Sequence, residues 1–533
     1  MSDAPFRVLV SDKLAPEGIQ IFEGAAGVEV DNRPGLSAED LLGIIHQYDG
    51  LAIRSGTKVT REVLDKATKL KVVGRAGIGT DNVDKPAASE KGVLVMNTPD
   101  GNVVTTAEHA ISLMCSLMRN IPQATASMKA GRWEKSKFGG KELYDKTLGV
   151  VGLGNIGTIV ANRARGLSMK VVAYDPFVTK ERAANLGVEL ADLDTLLARA
   201  DIVTLHVPLV DGTKNIISKD AIAKMKKGAF LVNAARGGLV DEAAVVAALE
   251  SEHLAGAAFD VFEKEPPPAD HPLLHRDDVI LTPHLGASTT EAQVNVAVAV
   301  AQQIVAYLTQ GVIQNAVNAP AVSPELMEVV GPYLDLSRKM GRMAGQLHAG
   351  GVEKVRAVFA GKSTELPEAP VTAALLTGLL ESAFGRDVNP VSAPYLAKER
   401  GIEVVVERTT KAKAFSNGIS LEVSGAKTTK IVGAMFGDET PRIVSVNGFS
   451  VEVVPEGRLL LTHHHDRPGM LGRIGTILGD NDVNISRLAL ARSSADSDVA
   501  KAVFSIDGVV PEAVLKTITE IDGIDWAKPI DLG

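Results

Sequence analysis

A single cysteine stands in the 533-residue sequence, so no intrachain disulfide can form. Cys115 lies inside the apolar run from Ile111 to Met118, where a small buried hydrophobe is the expected role, and this usage fits a reducing compartment. Basic charge is also short, because 56 Lys and Arg against 65 Asp and Glu leave a formal net charge of −9. Nucleic-acid affinity rests on Lys and Arg displacing condensed counterions, so no nucleic-acid partner is expected. No run approaches the roughly 18 uninterrupted apolar residues of a membrane span, and Met1 to Arg7 lacks the basic and apolar regions of a secretory leader. The expectation is a cytoplasmic protein with no membrane partner. Pro/Gly-rich tracts and long charge blocks are missing too, so order is expected nearly throughout, in three or four units at about 100 to 200 residues each.

What is present is alternation. Short β-branched runs at Val8–Val10, Val28–Val30, Leu51–Ile53, Val72–Val73 and Val93–Val95 are separated by helical patterns, which reads as parallel α/β units. Ser37 with Asp40 marks a helix start. A second series at Leu148–Val151, Val171–Tyr174, Ile202–Leu205, Phe230–Val232, Ala257–Phe259 and Val279–Leu281 predicts a doubly wound sheet of six strands, with a long buried helix from Thr105 to about Met118 before it. Near residue 317 the pattern changes to Gly-rich and β-branched segments, Val352–Phe359 and Ile402–Glu407. After Pro455–Gly457 a small β-α-β-β-α pattern follows.

Gly152, Gly154 and Gly157 hold the G-x-G-x-x-G spacing between an apolar strand and a helix. The first permits a tight turn, the second lets backbone N–H groups approach a pyrophosphate, and the third lets helix and strand pack closely. Asp175 ends the next strand, where a carboxylate accepts from ribose hydroxyls and repels a 2′-phosphate. The cofactor implied is NAD rather than NADP.

Hydride transfer from a hydroxyacid needs a cation for the carboxylate, a proton acceptor, and an anion beside that acceptor. Arg236, followed by two glycines, offers a guanidinium fork at a backbone that looks shaped around a ligand. Asp260 to Glu265 holds several carboxylates, and spacing does not choose between Glu263 and Glu265. His284 and His206 both follow strands at the carboxyl edge, and each has the alternative of a structural histidine.

Together Gly152-Leu-Gly-Asn-Ile-Gly157, Ala234-Ala-Arg-Gly-Gly238, Asp260-Val-Phe-Glu-Lys-Glu265-Pro and Pro283-His-Leu-Gly-Ala-Ser288 resemble the D-isomer-specific 2-hydroxyacid dehydrogenases. The resemblance implies a catalytic triad of Arg236, Glu265 and His284. It implies cofactor contacts at Gly152, Gly154, Asn155, Ile156, Gly157, Asp175, His206, Pro208, Ala234, Asp260 and Gly286. Arg54-Ser-Gly-Thr57, Gly74 to Asp84, Met96 to Asn102 and Arg132-Trp133 narrow it to the branch of that family acting on 3-phosphoglycerate, first step of L-serine synthesis. By that resemblance Arg54, Ser55, Arg75, Gly77 and Asn102 serve the substrate. Lys135 and Lys141 are also implied for the substrate, with a basic residue near one or the other reaching in from a neighbouring subunit, although relatives often carry Arg and Thr at those two places.

The tail, His464 to Gly472 followed by Asn481 to Ser486, resembles an ACT regulatory module, which implies His464, Asp466 and Asn484 as ligands for an amino acid such as L-serine. His463 to His465 suggest no metal, because neighbours on a strand point to opposite faces. The implied architecture is α/β: a flavodoxin-like substrate domain (1–98 and 285–316), a Rossmann NAD domain (99–284), an α+β intervening domain (317–453) and a ferredoxin-like ACT domain (455–533), assembled as a homotetramer. Lys411, Lys413 and Arg442 read better as solvated charge than as an anion site. The alternatives are a dehydrogenase for glycerate, hydroxypyruvate or 2-hydroxyglutarate, and a non-enzymatic NADH-sensing scaffold of the corepressor kind.

Overall fold

The computed structural model describes residues 4–322, 324–385, 388–410, 417–437, 440–492 and 498–533. The chain divides into two compact units, Met1–Thr98 with Val298–Gly533, and Pro99–Ala297.

The first unit opens with a parallel sheet of β1 (Phe6–Val10), β2 (Val28–Asn32), β3 (Gly50–Ile53), β4 (Val72–Arg75) and β5 (Leu94–Asn97), in the order β2-β1-β3-β4-β5. Strands β3 and β5 are buried along their whole length, as apolar runs covered on both faces must be. Ser37 caps the helix Ala38–Ile44 by accepting from Asp40 N at 3.1 Å. The helix Thr290–Gln310 is, by length and composition, long and apolar enough to cross a membrane. Gln302 and Gln303 interrupt it, however, and Val300, Ala301 and Ile304 are fully buried. A Cβ on Gly74 would lie 2.6 Å from Val300 and Ile304, so β4 carries glycine where this helix presses on the sheet.

In the second unit β6 (Thr147–Val151), β7 (Lys170–Tyr174), β8 (Glu189–Leu190), β9 (Ile202–Leu205), β10 (Ala229–Asn233), β11 (Leu254–Phe259) and β12 (Val279–Leu281) form a seven-stranded parallel sheet, β12-β11-β10-β9-β6-β7-β8. The reading from sequence lacked β8, whose two residues are too short to carry a period. The strand order reverses between β6 and β9, the switch point where open α/β sheets bind ligands. The helix Val103–Met118 packs Ala107, Ala110, Leu113, Met114 and Leu117 into this unit's core. Cys115 on the same helix is half-buried, and desolvation pushes its thiol above the ordinary value, away from thiolate chemistry.

The rest of the first unit holds two further sheets. The order β14-β13-β15-β16-β17-β18 joins β13 (Val352–Gly361), β14 (Glu403–Thr409), β15 (Asn417–Gly425), β16 (Thr428–Phe436), β17 (Thr440–Val446) and β18 (Phe449–Val453). The order β20-β21-β19-β22 joins β19 (Arg458–His465), β20 (Asn484–Arg492), β21 (Val499–Asp507) and β22 (Ile524–Asp531), all antiparallel. The last four strands with two helices make a β-α-β-β-α-β unit, one strand more than the sequence pattern showed. Both sheets feed one core, in which Val446, Phe449 and Val451 meet Leu459, Leu461, Val503 and Ile530.

The helices Pro324–Leu347 and Glu368–Phe384 cross at glycines: a Cβ on Gly378 would stand 1.9 Å from Arg338 O, and one on Gly341 2.2 Å from Leu375 O. Glu381, nearly buried, is held there by Arg338 and Arg342. Alanine favours an exposed helix over glycine by about 1 kcal/mol, but the overlap with a backbone carbonyl costs roughly 1–3 kcal/mol or more. Gly378→Ala is therefore expected to lower the unfolding temperature of the full chain in calorimetry, and an unchanged or raised Tm would contradict this packing.

Candidate functional site

The loop from β6 into the helix Asn155–Gly166 is shaped by its glycines. Gly152 has φ 96°, and a Cβ there would lie 2.6 Å from His206 O. A Cβ on Gly157 would overlap Gly152 O at 1.9 Å, so helix and loop touch backbone to backbone. A Cβ on Gly154 would meet no atom within 4 Å, and the helix that begins at Asn155 has no side-chain cap. The first-turn N–H groups of Asn155, Ile156 and Gly157 have no intrahelical acceptor by construction, so the open, uncapped end suits a pyrophosphate. Asp175 braces this loop, accepting from Leu153 N and Phe177 N, both at 2.9 Å.

His206 follows β9 beneath the glycine loop. Its Nε2 is 3.0 Å from Thr204 Oγ1, while Nδ1 is buried without a partner. Desolvation lowers its pKa from 6.5 to about 3, so the ring is neutral across the physiological range. Pro208, two residues on, is exposed.

After β10 the Asn233 side chain ties its own loop, donating to Arg236 O at 2.9 Å and accepting from Ala235 N at 3.1 Å. This fixes Arg236, whose Nη1 donates to Ala235 O at 2.7 Å, and Ala234 beside it is buried. The glycines after Arg236 were read as a backbone shaped around a ligand. The structure gives Gly237 another reason: its Cβ would lie 1.8 Å from Phe262 O, so it is required where two strand-end loops touch.

Glu265 and His284 meet across those loops, with Oε2 2.7 Å from Nδ1. Oε1 of Glu265 accepts from Phe262 N at 3.1 Å, which aims the carboxylate, and both side chains keep access to solvent. Glu263 instead is exposed, its N–H donating to Glu242 at 2.8 Å. Both choices that the spacing left open are thereby separated by contact. A cavity of about 400 Å³ opens beside the pair, lined by Phe262, Pro267, Leu274, Leu281 and Pro283.

Asp260, expected at the cofactor, is turned inward. It is 1% exposed and accepts from Thr282 Oγ1 at 2.6 Å, Leu285 N at 2.7 Å, Gly286 N at 2.8 Å and His109 Nε2 at 3.1 Å. Gly286 is likewise spent on this carboxylate. Burial raises the Asp260 pKa, but hydrogen bonds from His109, Thr282 and Leu285 N outweigh it and the net shift is downward. His109 and Thr282 were not anticipated, since neither stands in a motif.

The expected substrate residues fall in both units. In the first, the Arg54 loop wraps Asp12, which accepts from Arg54 N at 2.6 Å and Thr57 N at 3.1 Å, while Asn82 Nδ2 donates to Arg54 O at 2.7 Å and Ser55 stays exposed. The Arg75 guanidinium lies across Gly77, where a Cβ would sit 1.9 Å from Nη1. In the second, Asn102 is buried ahead of the helix Val103–Met118, with Oδ1 unpartnered. Lys135 is exposed, and Lys141 stands 4.8 Å over the Phe230 ring with Nζ 3.4 Å from Gly228 O.

Among the effector residues, His464 is fully buried, its Nδ1 3.1 Å from Thr462 Oγ1. Asp466 is ion-paired with Arg492, and Asn484 donates to Asp507 at 2.8 Å. The neighbouring His463 stacks on Trp526 and bonds Asp525 at 2.7 Å. Arg442 donates to Pro441 O at 2.9 Å, and Lys411 and Lys413 lie outside the described residues.

A histidine that is neutral when folded but protonates below pH 6.5 when unfolded makes the unfolded chain bind more protons between about pH 6.5 and 3. Stability then falls as the pH falls through that window, by at most ~1.4 kcal/mol per pH unit. His206→Gln is expected to flatten the acid limb of urea unfolding measured between pH 7 and 4.5, and an unaltered slope would contradict the buried neutral ring.

Family profiles match along the chain: the NAD binding domain of D-isomer specific 2-hydroxyacid dehydrogenase over residues 111–286, the D-3-phosphoglycerate dehydrogenase intervening domain over 329–447, and the ACT domain over 458–523. The D-3-phosphoglycerate dehydrogenase of Archaeoglobus fulgidus is 42% identical over 528 residues, 99% of this chain and 100% of that protein. The enzyme of the same name from Methanocaldococcus jannaschii is 44% identical over the same shares. Among solved structures, the NAD-dependent formate dehydrogenase of Staphylococcus aureus in complex with NAD is 31% identical with a TM-score of 0.54, covering 58% of this chain and 98% of that one. With the glycine loop, the Glu265–His284 pair and full-length relatives in agreement, the chain belongs to the D-3-phosphoglycerate dehydrogenase family, NAD-dependent enzymes of the D-isomer-specific 2-hydroxyacid dehydrogenase class.

Proposed function

We propose that this chain oxidises 3-phospho-D-glycerate to 3-phosphohydroxypyruvate, the first step of L-serine synthesis, as a cytoplasmic homotetramer regulated by an amino acid at its ACT domain. The observation that carries the reading is the 2.7 Å contact between Glu265 Oε2 and His284 Nδ1, which leaves His284 Nε2 for a substrate proton. His284 accepts the C2 hydroxyl proton as the carbonyl forms. Glu265 stabilises the imidazolium so produced, and Arg236 holds the substrate carboxylate. Bound NAD would supply the acceptor for the hydride leaving C2. Asn155, Ile156 and Gly157 hold its pyrophosphate through backbone N–H groups, and Asp175 its ribose, with His206, Pro208 and Ala234 lining the same strand ends. Asp260 and Gly286 serve by holding the His284 loop.

Arg54 and Arg75 are the cations we assign to the phosphate, with Ser55, Gly77 and Asn102 beside the substrate and Lys135 and Lys141 contributed by a neighbouring subunit. The four-domain division expected from the sequence accompanies this reading, with L-serine as the effector at His464, Asp466 and Asn484. The amino-acid site fits an enzyme that answers to its end product better than a non-enzymatic scaffold.

His284→Ala is expected to lose roughly 10²-fold or more in turnover while still binding NADH by fluorescence. Turnover near the parent rate would overturn the assignment. Arg75→Ala should raise KM for 3-phosphoglycerate far more than KM for an unphosphorylated analogue, and equal effects on both would remove it from the phosphate site.

A further inference from the structure

A second imidazole–carboxylate pair lies behind the first. Asp260 is shut from solvent, and its four donors come from three places: Thr282 before His284, the N–H groups of Leu285 and Gly286 after it, and His109 on the helix Val103–Met118. His284 N completes the grip by donating to Asp260 O at 2.8 Å. His284 itself has φ 53°, a left-handed backbone that a non-glycine residue holds only where its surroundings determine it.

The tautomer of His109 follows from its neighbours. Its Nε2 is 3.1 Å from Asp260 Oδ1 and 3.2 Å from Thr282 Oγ1. Thr282 commits its one proton to Asp260 at 2.6 Å, so both oxygens facing His109 are acceptors and Nε2 carries the hydrogen. Among the described residues, that N–H is the one donor to Asp260 that lies outside its own strand end and the His284 loop.

We propose that His109 is a positioning residue for hydride transfer: through Asp260 it holds the loop that presents His284 to the substrate and to Glu265. The proposal rests on the reading of His284 as proton acceptor. It assigns His109 no contact with substrate or cofactor, so its loss should slow the chemical step more than it weakens binding.

The test compares His109→Leu, which keeps bulk and removes the donor, with His109→Gln, whose amide N–H can restore it, in the full-length enzyme. In His109→Leu, kcat for 3-phosphoglycerate oxidation should fall at least tenfold with KM and NADH affinity within about threefold of the parent. His109→Gln should recover most of the rate, with KM unchanged. A His109→Leu enzyme with parent kcat overturns the proposal, as do two variants equally slow, which would mark packing alone. Thr282→Val deletes the other side-chain donor to the same oxygen and is read in the same way if His109→Leu does not fold. His284→Ala at the parent rate would overturn both this proposal and the reading beneath it, whereas failure of the His109 series alone leaves His284 in place.

Discussion

An ionised carboxylate closed off from water must have its charge met by donors, and Asp260 meets that requirement by drawing the site together. Two hydrogen bonds come from consecutive backbone N–H groups, one from a threonine and one from a histidine on a separate helix. Hydrogen bonds to a charged group contribute about 1.5–3 kcal/mol each, and leaving such a group short of donors costs at least as much. The end of β11, the loop after β12 and the helix Val103–Met118 are joined at that one point. The position of His284 follows from it.

The two imidazole–carboxylate pairs differ in what burial lets them do. Glu265 and His284 keep solvent access, so a proton can arrive and leave. His109 and Asp260 are largely shut in, with 18% and 1% of their side chains exposed. His206 is a third case: neutral by desolvation, it supports the glycine loop without bringing charge to the cofactor side. All of these residues except His109 follow the carboxyl ends of parallel strands, where strand-to-helix loops have room to vary while the sheet stays fixed.

Much of the fold was readable because parallel strands buried on both faces appear as short continuous apolar runs, and most strands of the first two sheets announce themselves so, although Val28–Asn32 shows only two valines about Glu29. Glu189–Leu190 does not, being too short for any period. The glycine loop was legible for the reason it exists, since each glycine answers a measurable close approach or an open helix end. Which carboxylate meets which histidine was not legible from residues alone: Glu263 and Glu265, or His206 and His284, differ in what they touch, and that contact is long-range. Gly237 carries a further constraint that is silent in sequence, the close approach of Phe262 O. His109 is silent in sequence because a histidine amid a buried helix looks the same whether or not a carboxylate faces it.

The central claim is a dehydrogenase that takes a phosphorylated C3 hydroxyacid. The direct measurement is the rise of NADH absorbance when the purified chain meets NAD and 3-phosphoglycerate with a trap for the keto product, beside D-glycerate and D-2-hydroxyglutarate at equal concentration. The account predicts NADH with 3-phosphoglycerate at a kcat/KM at least tenfold above either alternative. No NADH from any of the three, or a preference for an unphosphorylated substrate, would contradict it.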